Sequence, residues 1–150
     1  MDIQCELPDS NPLDVEIREL LQKSKKIAIV GISRKEDRDS FKVAKYLKEH
    51  GYQIIPVNPV YEEVLGEKCY KSLSDIPFEV DIVDIFRRPD AIPPIVDEAI
   101  KIGAKAVWMQ LGLAHNESAK KAREAGLQVV QSKCIKIEHA KLLKECEENK

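Results

Sequence analysis

Five apolar runs in this chain end in residues suited to holding a polyanion. The first run closes in Gly31-Ile32-Ser33, the second in Val57-Asn58-Pro59, and the third in Phe86-Arg87-Arg88-Pro89. The fourth closes in Met109-Gln110-Leu111-Gly112 and the fifth in Gln131-Ser132-Lys133-Cys134. Gly31 lets the backbone turn tightly and lets a ligand approach without a Cβ in the way. A helix after such a turn aims free N–H groups and a positive dipole end back at the loop, which is the usual way a protein holds phosphate. Ser33 and Ser40 add hydroxyl groups to that site. The Arg87-Arg88 pair can meet phosphate in bidentate fashion. Cations at a helix entry oppose its dipole, so stability alone gives little reason for the pair. Phe86 offers either an aromatic face to a base or a piece of core.

No catalytic constellation accompanies these motifs. His50 falls at a helix C-terminus, where a dipole contact explains it. His115 falls in a loop and His139 within the last helix, and none of the three has a nucleophile or ligand at catalytic spacing. Asp81 and Asp84 interrupt an apolar strand and are expected at its ends or bound to backbone. Their spacing does not aim both carboxylates into one cleft. Trp108 and Met109 close an apolar strand and read first as core. The cysteines, at 5, 69, 134 and 146, form no C-x-x-C pair, so neither a zinc site nor a thioredoxin-like motif is expected. Reduced thiols and a cytoplasmic location are the default.

The elements that must position these residues repeat regularly. A short helix is expected over 12–23, with Asn11 as N-cap and Pro12 at its first position. Strands are expected over 26–30, 52–57, 80–86, 104–109 and 127–130. Between and after them come helices that begin with a cap at Ser40, at 89–102, at 116–125 and at 135–148, with an irregular stretch over 60–77 that holds short apolar pieces and one helical turn near 72–76. Alternation of strand and helix argues for an α/β chain, a parallel sheet of about five strands between two helical layers. Right-handed crossovers then bring every strand C-terminus to one edge, where ligands of open α/β sheets bind.

The composition bounds the partners. The chain has 150 residues, 24 basic and 26 acidic, with a net charge of −2. That length suits a single domain, with its core over 24–140. The balance excludes a strongly basic nucleic-acid binder. No apolar run reaches the roughly 20 residues that cross a bilayer, and the N-terminus does not read as a signal peptide. A nicotinamide dinucleotide is disfavoured. Only Gly31 matches the glycine fingerprint, and Pro56-Val57-Asn58-Pro59 offers no carboxylate to ribose hydroxyls.

Taken together, the motifs Ile29-Val30-Gly31-Ile32-Ser33, Ile55-Pro56-Val57-Asn58-Pro59, Asp81 to Pro89, Val107-Trp108-Met109-Gln110-Leu111-Gly112 and Cys134-Ile135-Lys136-Ile137-Glu138 resemble the small single-domain CoA-binding proteins. That family is related to the CoA-binding domain of the succinyl-CoA synthetase α subunit. The resemblance implies a Rossmann-like fold and coenzyme A, or an acyl-CoA, as cofactor. It would put the diphosphate on Gly31, Ile32, Ser33 and the helix start near Ser40, and the adenosine near Asn58 and Pro59. Phe86, Arg87 and Arg88 would line the next portion, and Met109 and Gln110 would approach the pantetheine arm. The family often carries a basic residue after the Asn-Pro pair, and here that residue is Val60. Arg34, Lys42 and Lys68 are the candidates to replace it. The synthetase's phosphohistidine domain and nucleotide-grasping subunit find no room in 150 residues. The expectation is therefore a binding or regulatory module, with a homodimer as a possible assembly. The alternatives are an NAD(P)-dependent oxidoreductase and a CoA-linked thiol redox protein acting through Cys134.

Overall fold

The structure, a computed structural model, describes residues 7–148. Its centre is a parallel five-stranded sheet made of β1 (Lys26–Val30), β2 (Gln53–Val57), β5 (Ile82–Ile85), β6 (Ala106–Met109) and β7 (Gln128–Val130), in the order β2-β1-β5-β6-β7. The strands are apolar on both faces because both are covered. Ala28, Val30, Val83, Ile85, Val107 and Met109 face one helical layer, formed by α3 (Ile92–Lys101) and α4 (Asn116–Glu124). Ile27, Ile29, Ile82, Ala106 and Trp108 face the other, formed by α1 (Asp14–Lys23), α2 (Asp39–Glu49) and α5 (Ile135–Glu148). This is the three-layer Rossmann-like arrangement. No helix among the described residues is long and apolar enough to cross a membrane.

Three local details differ from the sequence expectation. The first helix starts at Asp14, with Leu13 as N-cap, and the Glu16 carboxylate accepts the Leu13 N–H at 2.8 Å. Asn11 is needed elsewhere. Its side chain donates to the Gln131 carbonyl at 2.9 Å and accepts from the Gln131 amide at 2.7 Å, satisfying the backbone just past the end of β7. Ser40 lies inside the first turn of α2, after the N-cap Arg38. The irregular stretch also contains a hairpin of two-residue strands, β3 (Glu63–Val64) with β4 (Glu67–Lys68), while the helical turn expected near 72–76 is present as a 3-10 turn at Leu73–Asp75. A parallel bridge from Tyr70 to Val57 holds that excursion against β2.

The chain reverses its direction of travel across the sheet between β1 and β5. From β1 it goes out to β2, then crosses back to the far side of β1. The exits of β1 and β5 diverge at that point and leave a crevice, the position at which doubly wound folds bind ligands.

Candidate functional site

A groove of about 1030 Å³ lies at that crevice and runs along the strand C-termini on the α2 and α5 side. Gly31 and Ser33 enter it from β1, Phe86, Arg87 and Arg88 from β5, and Gln110, Leu111 and Leu113 from β6. The N-terminal turns of α2 and α5 close it, the latter with Cys134, Lys136 and Ile137. Lys35, Arg38, Lys42, Arg87, Arg88 and Lys136 supply cations against one carboxylate, Asp39. The N-cap side chain of α2 makes no capping hydrogen bond. Amides of its first turn, which have no intrahelical partner, therefore add to the positive potential.

Arg87 is exposed and has no ion-pair partner among the described residues. Arg88 has only Asp90, at 3.8 Å between two exposed side chains. An ion pair that long and that wet contributes little to stability. Arg87 also lines a smaller depression of about 260 Å³ on the α3 side, which it shares with Gly31 and Pro59. The guanidinium stem thus lies at the ridge between the two hollows.

Gly31 makes that ridge. Its φ is +88°, and a Cβ there would lie 2.2 Å from the Phe86 carbonyl oxygen and 2.7 Å from Arg87 Cδ. The space that the missing side chain leaves is filled by the β5 exit. Close packing of two loops, rather than approach of a ligand to bare backbone, is what requires glycine here.

Several predicted residues also brace the loops around the groove, Ser33 and Ser40 while lining it. Ser40 Oγ accepts the Ser33 amide at 2.9 Å, and Ser33 Oγ accepts the Lys35 amide at 3.1 Å. Asn58 donates to the Ile32 carbonyl at 2.9 Å and accepts the Val60 amide at 2.9 Å, clamping the β1 exit to the β2 exit. Ile32 and Met109 are fully buried, so only their backbone is near the edge. Arg34 packs over the Tyr61 ring at 5.7 Å, and Tyr61 lines the groove. Gln110 lines it too, and its Oε1 accepts the Ile135 amide at 3.2 Å, fixing the start of α5.

Sequence alone does not mark Lys35, Arg38 and Lys136 as site residues, yet all three line the groove. A trace of them was visible in the density of basic residues between Arg34 and Lys42, all within one βα loop and the turn after it. Lys136 is found only by knowing that α5 begins at the groove.

The two strand aspartates part company. Asp81 accepts the Lys25 and Lys26 amides at 2.8 and 2.9 Å and pairs with Lys105 at 3.2 Å. Partial burial pushes its carboxyl up, but the two amides and the lysine outweigh that and hold it below the ordinary carboxylate range. Asp84 departs from expectation. It sits mid-strand beside Ile29 of β1 and Trp108 of β6, fully buried, and neither of its oxygens has a hydrogen-bond partner among the described residues. Burial alone pushes its carboxyl well above the usual value. His139 bonds Tyr46 through Nδ1 at 2.8 Å, and His115 caps α4 by accepting the Ser118 amide at 3.2 Å. His50 Nδ1 bonds the Tyr46 carbonyl oxygen at 2.7 Å. Cys5 lies outside the described residues.

Similarity to known proteins shows the family. Residues 25–140 match the family described as CoA binding domain, a stretch that contains every strand of the sheet. The chain belongs to the CoA-binding domain family. Within it, the chain is 43% identical over 130 residues to uncharacterized protein YneT of Bacillus subtilis (strain 168), covering 87% of this chain and 96% of that one. It superposes with a TM-score of 0.87 on the structure described as a hypothetical protein from Pyrococcus horikoshii OT3. The identity there is 50%, over 92% of this chain and 97% of that one. It is also 30% identical over 121 residues to the ADP-forming acetate–CoA ligase of Methanocaldococcus jannaschii. That match takes in 75% of this CoA-binding domain chain but spans only 17% of the ligase.

Proposed function

We propose that the groove binds coenzyme A, with the diphosphate at the β1–β5 crevice and the pantetheine arm directed toward the ends of β6 and β7, and that the chain acts as a binding or regulatory module. The observation that carries this reading is the concentration of basic side chains around one groove at the switch point of the sheet, next to an α2 N-terminus whose N-cap side chain makes no capping hydrogen bond. A ligand with a diphosphate and a 3′-phosphate needs such a field. Family membership and the match to a CoA ligase over the same stretch support it. The β2 exit supports it against a nicotinamide dinucleotide, since its Asn58 is committed to the Ile32 carbonyl and the Val60 amide and no carboxylate stands there.

Isothermal titration of the protein with CoA, and separately with NAD and NADP, tests this. CoA is expected to bind and neither dinucleotide to displace it at equal concentration. Arg87→Ala is expected to weaken CoA binding by about 1.5–3 kcal/mol, the usual loss for a charged hydrogen bond, while leaving the thermal midpoint nearly unchanged because Arg87 is exposed and unpaired. Parent-like affinity in that variant would remove Arg87 from the site, and absence of CoA binding in the parent would remove the reading.

A second reading rests on Cys134, whose side chain lines the same groove. Its thiolate would attack CoA disulfide, forming a protein–CoA disulfide and releasing one CoA thiolate. Incubation with CoA disulfide followed by intact-mass measurement is then expected to show one added CoA, lost in Cys134→Ser. An unmodified parent mass sinks it.

A further inference from the structure

The groove is not uniform along its length. Five of its six cations, Lys35, Arg38, Lys42, Arg87 and Arg88, lie where β1 and β5 end and α2 begins, and the sixth, Lys136, lies in the first turn of α5. Toward β6 and β7 the lining turns apolar. Leu111 and Ile137 are large aliphatic side chains left 67% and 55% exposed, and both line the groove, together with Leu113. Aliphatic side chains of this size are ordinarily buried. Here they come from two different segments that converge on the same end of one cavity.

That end is built firmly. The Gly112 amide donates to Ser132 Oγ at 3.1 Å, and the Ser132 amide donates to the Leu113 carbonyl at 2.8 Å. Gln110 Oε1 takes the Ile135 amide. The β6 exit and the start of α5 are thus tied together, and Leu111 and Ile137 are carried on a braced frame. Lys136, the cation nearest in sequence, has its ammonium 5.7 Å from the centre of the Tyr46 ring on α2. From β1 to β7 the sheet crosses three strand spacings, about 15 Å in all.

The geometry points to an aliphatic acyl group at the β6–β7 end, carried on CoA as its thioester, so that the ligand of this groove is an apolar acyl-CoA. This rests on the reading that the groove holds CoA, and it adds the class of acyl group. The occupant follows from continuity. A ligand anchored by its phosphates at the cationic end and extended along the groove brings its thioester to the aliphatic end. A straight alkyl chain there covers Leu111 and Ile137, whereas a carboxylate-bearing chain would be desolvated against them.

The test titrates the full chain with CoA, hexanoyl-CoA and succinyl-CoA. Hexanoyl-CoA is expected to bind about tenfold tighter than CoA, from burial of two or more methylenes, and succinyl-CoA no tighter than CoA. In the double variant Leu111→Asn with Ile137→Asn, the ratio of hexanoyl-CoA to CoA affinity is expected to fall to about one. Both residues are largely exposed, so the fold should tolerate the change, and circular dichroism checks this. Equal affinities for CoA and hexanoyl-CoA in the parent overturn the inference and leave CoA binding intact. So does succinyl-CoA binding as tightly as hexanoyl-CoA. Absence of all CoA binding removes both. A concentration-dependent dimer that the double variant abolishes, with equal ligand affinities, would assign the aliphatic end to a second copy and overturn it as well.

Discussion

Asp84→Asn is expected to be more stable than the parent protein at neutral pH, and the gain is expected to vanish as the pH falls toward about 4, the ordinary carboxylate range. Asp84 is wholly enclosed between Ile29 and Trp108, under the layer of α1, α2 and α5, and neither oxygen has a donor among the described residues. Burial raises its pKa well above the normal value. The native state therefore holds a proton that the unfolded chain releases once the pH exceeds the ordinary aspartate value. More protons are bound in the native than in the unfolded state over that window, so unfolding becomes easier as pH rises. The slope is at most about 1.4 kcal/mol per pH unit. Asparagine is nearly isosteric and cannot ionise, so it removes that slope while keeping the cost of a buried polar group.

Asp81 works in the opposite sense. Its depressed pKa gives stability that is present above the ordinary carboxylate range and lost as the pH falls through its own, lower value. The parent's pH profile mixes the two, but the difference between parent and Asp84→Asn cancels Asp81 and isolates Asp84. Urea denaturation of both proteins at a series of pH values between 4 and 8 reads that difference. Each kcal/mol corresponds to about 3 °C in thermal midpoint for a chain of this size. Parallel profiles for the two proteins would show that Asp84 finds a partner in solution and is ionised there.

Asp84 also marks where the sequence stopped being legible. The apolar runs over 26–30, 80–86 and 104–109, alternating with helical segments, point to a doubly covered parallel sheet, because such sheets are buried on both faces. The convergence of loops at one edge follows from right-handed crossovers. The strand order β2-β1-β5-β6-β7 does not follow from periodicity, and it is the order that puts Gly31 beside Phe86. Side-chain bookkeeping within the loops was equally hidden. Ser40 and Asn58 carry donors and acceptors that suit a ligand or a loop equally well, and only the fold reveals that their partners are Ser33, Ile32 and Val60. Asn11 had the type and spacing of an N-cap, yet its amide matches the backbone of Gln131 with two hydrogen bonds where a cap would make one. Lys136 and Ile137 read as an ordinary helical turn until the start of α5 is known to face the groove.

Gly31→Ala is expected to destabilise the protein by about 2–5 kcal/mol and to abolish CoA binding. Two costs add. A non-glycine residue at φ +88° pays about 1–2 kcal/mol for the left-handed region. The new Cβ then meets the Phe86 carbonyl oxygen at 2.2 Å, a backbone atom that no rotamer change can move aside. Phe86 cannot simply withdraw, because its amide donates to the Val30 carbonyl at 2.8 Å and the Gly31 amide donates to the Val57 carbonyl at 2.9 Å. Relief requires pushing the β5 exit away from β1, an overpacking cost of about 1–3 kcal/mol. That movement displaces Arg87, whose Cδ would be 2.7 Å from the new methyl. Gly112→Ala supplies the control. Gly112 has the same φ of +88°, and a Cβ there meets nothing within 4 Å. It is expected to lose only the left-handed increment and to retain CoA. The difference between the two variants in urea denaturation is then the energy of the close approach itself. Equal losses in the two would mean that the β5 exit yields freely, and the ridge between the two hollows would not be the fixed element that positions the guanidinium.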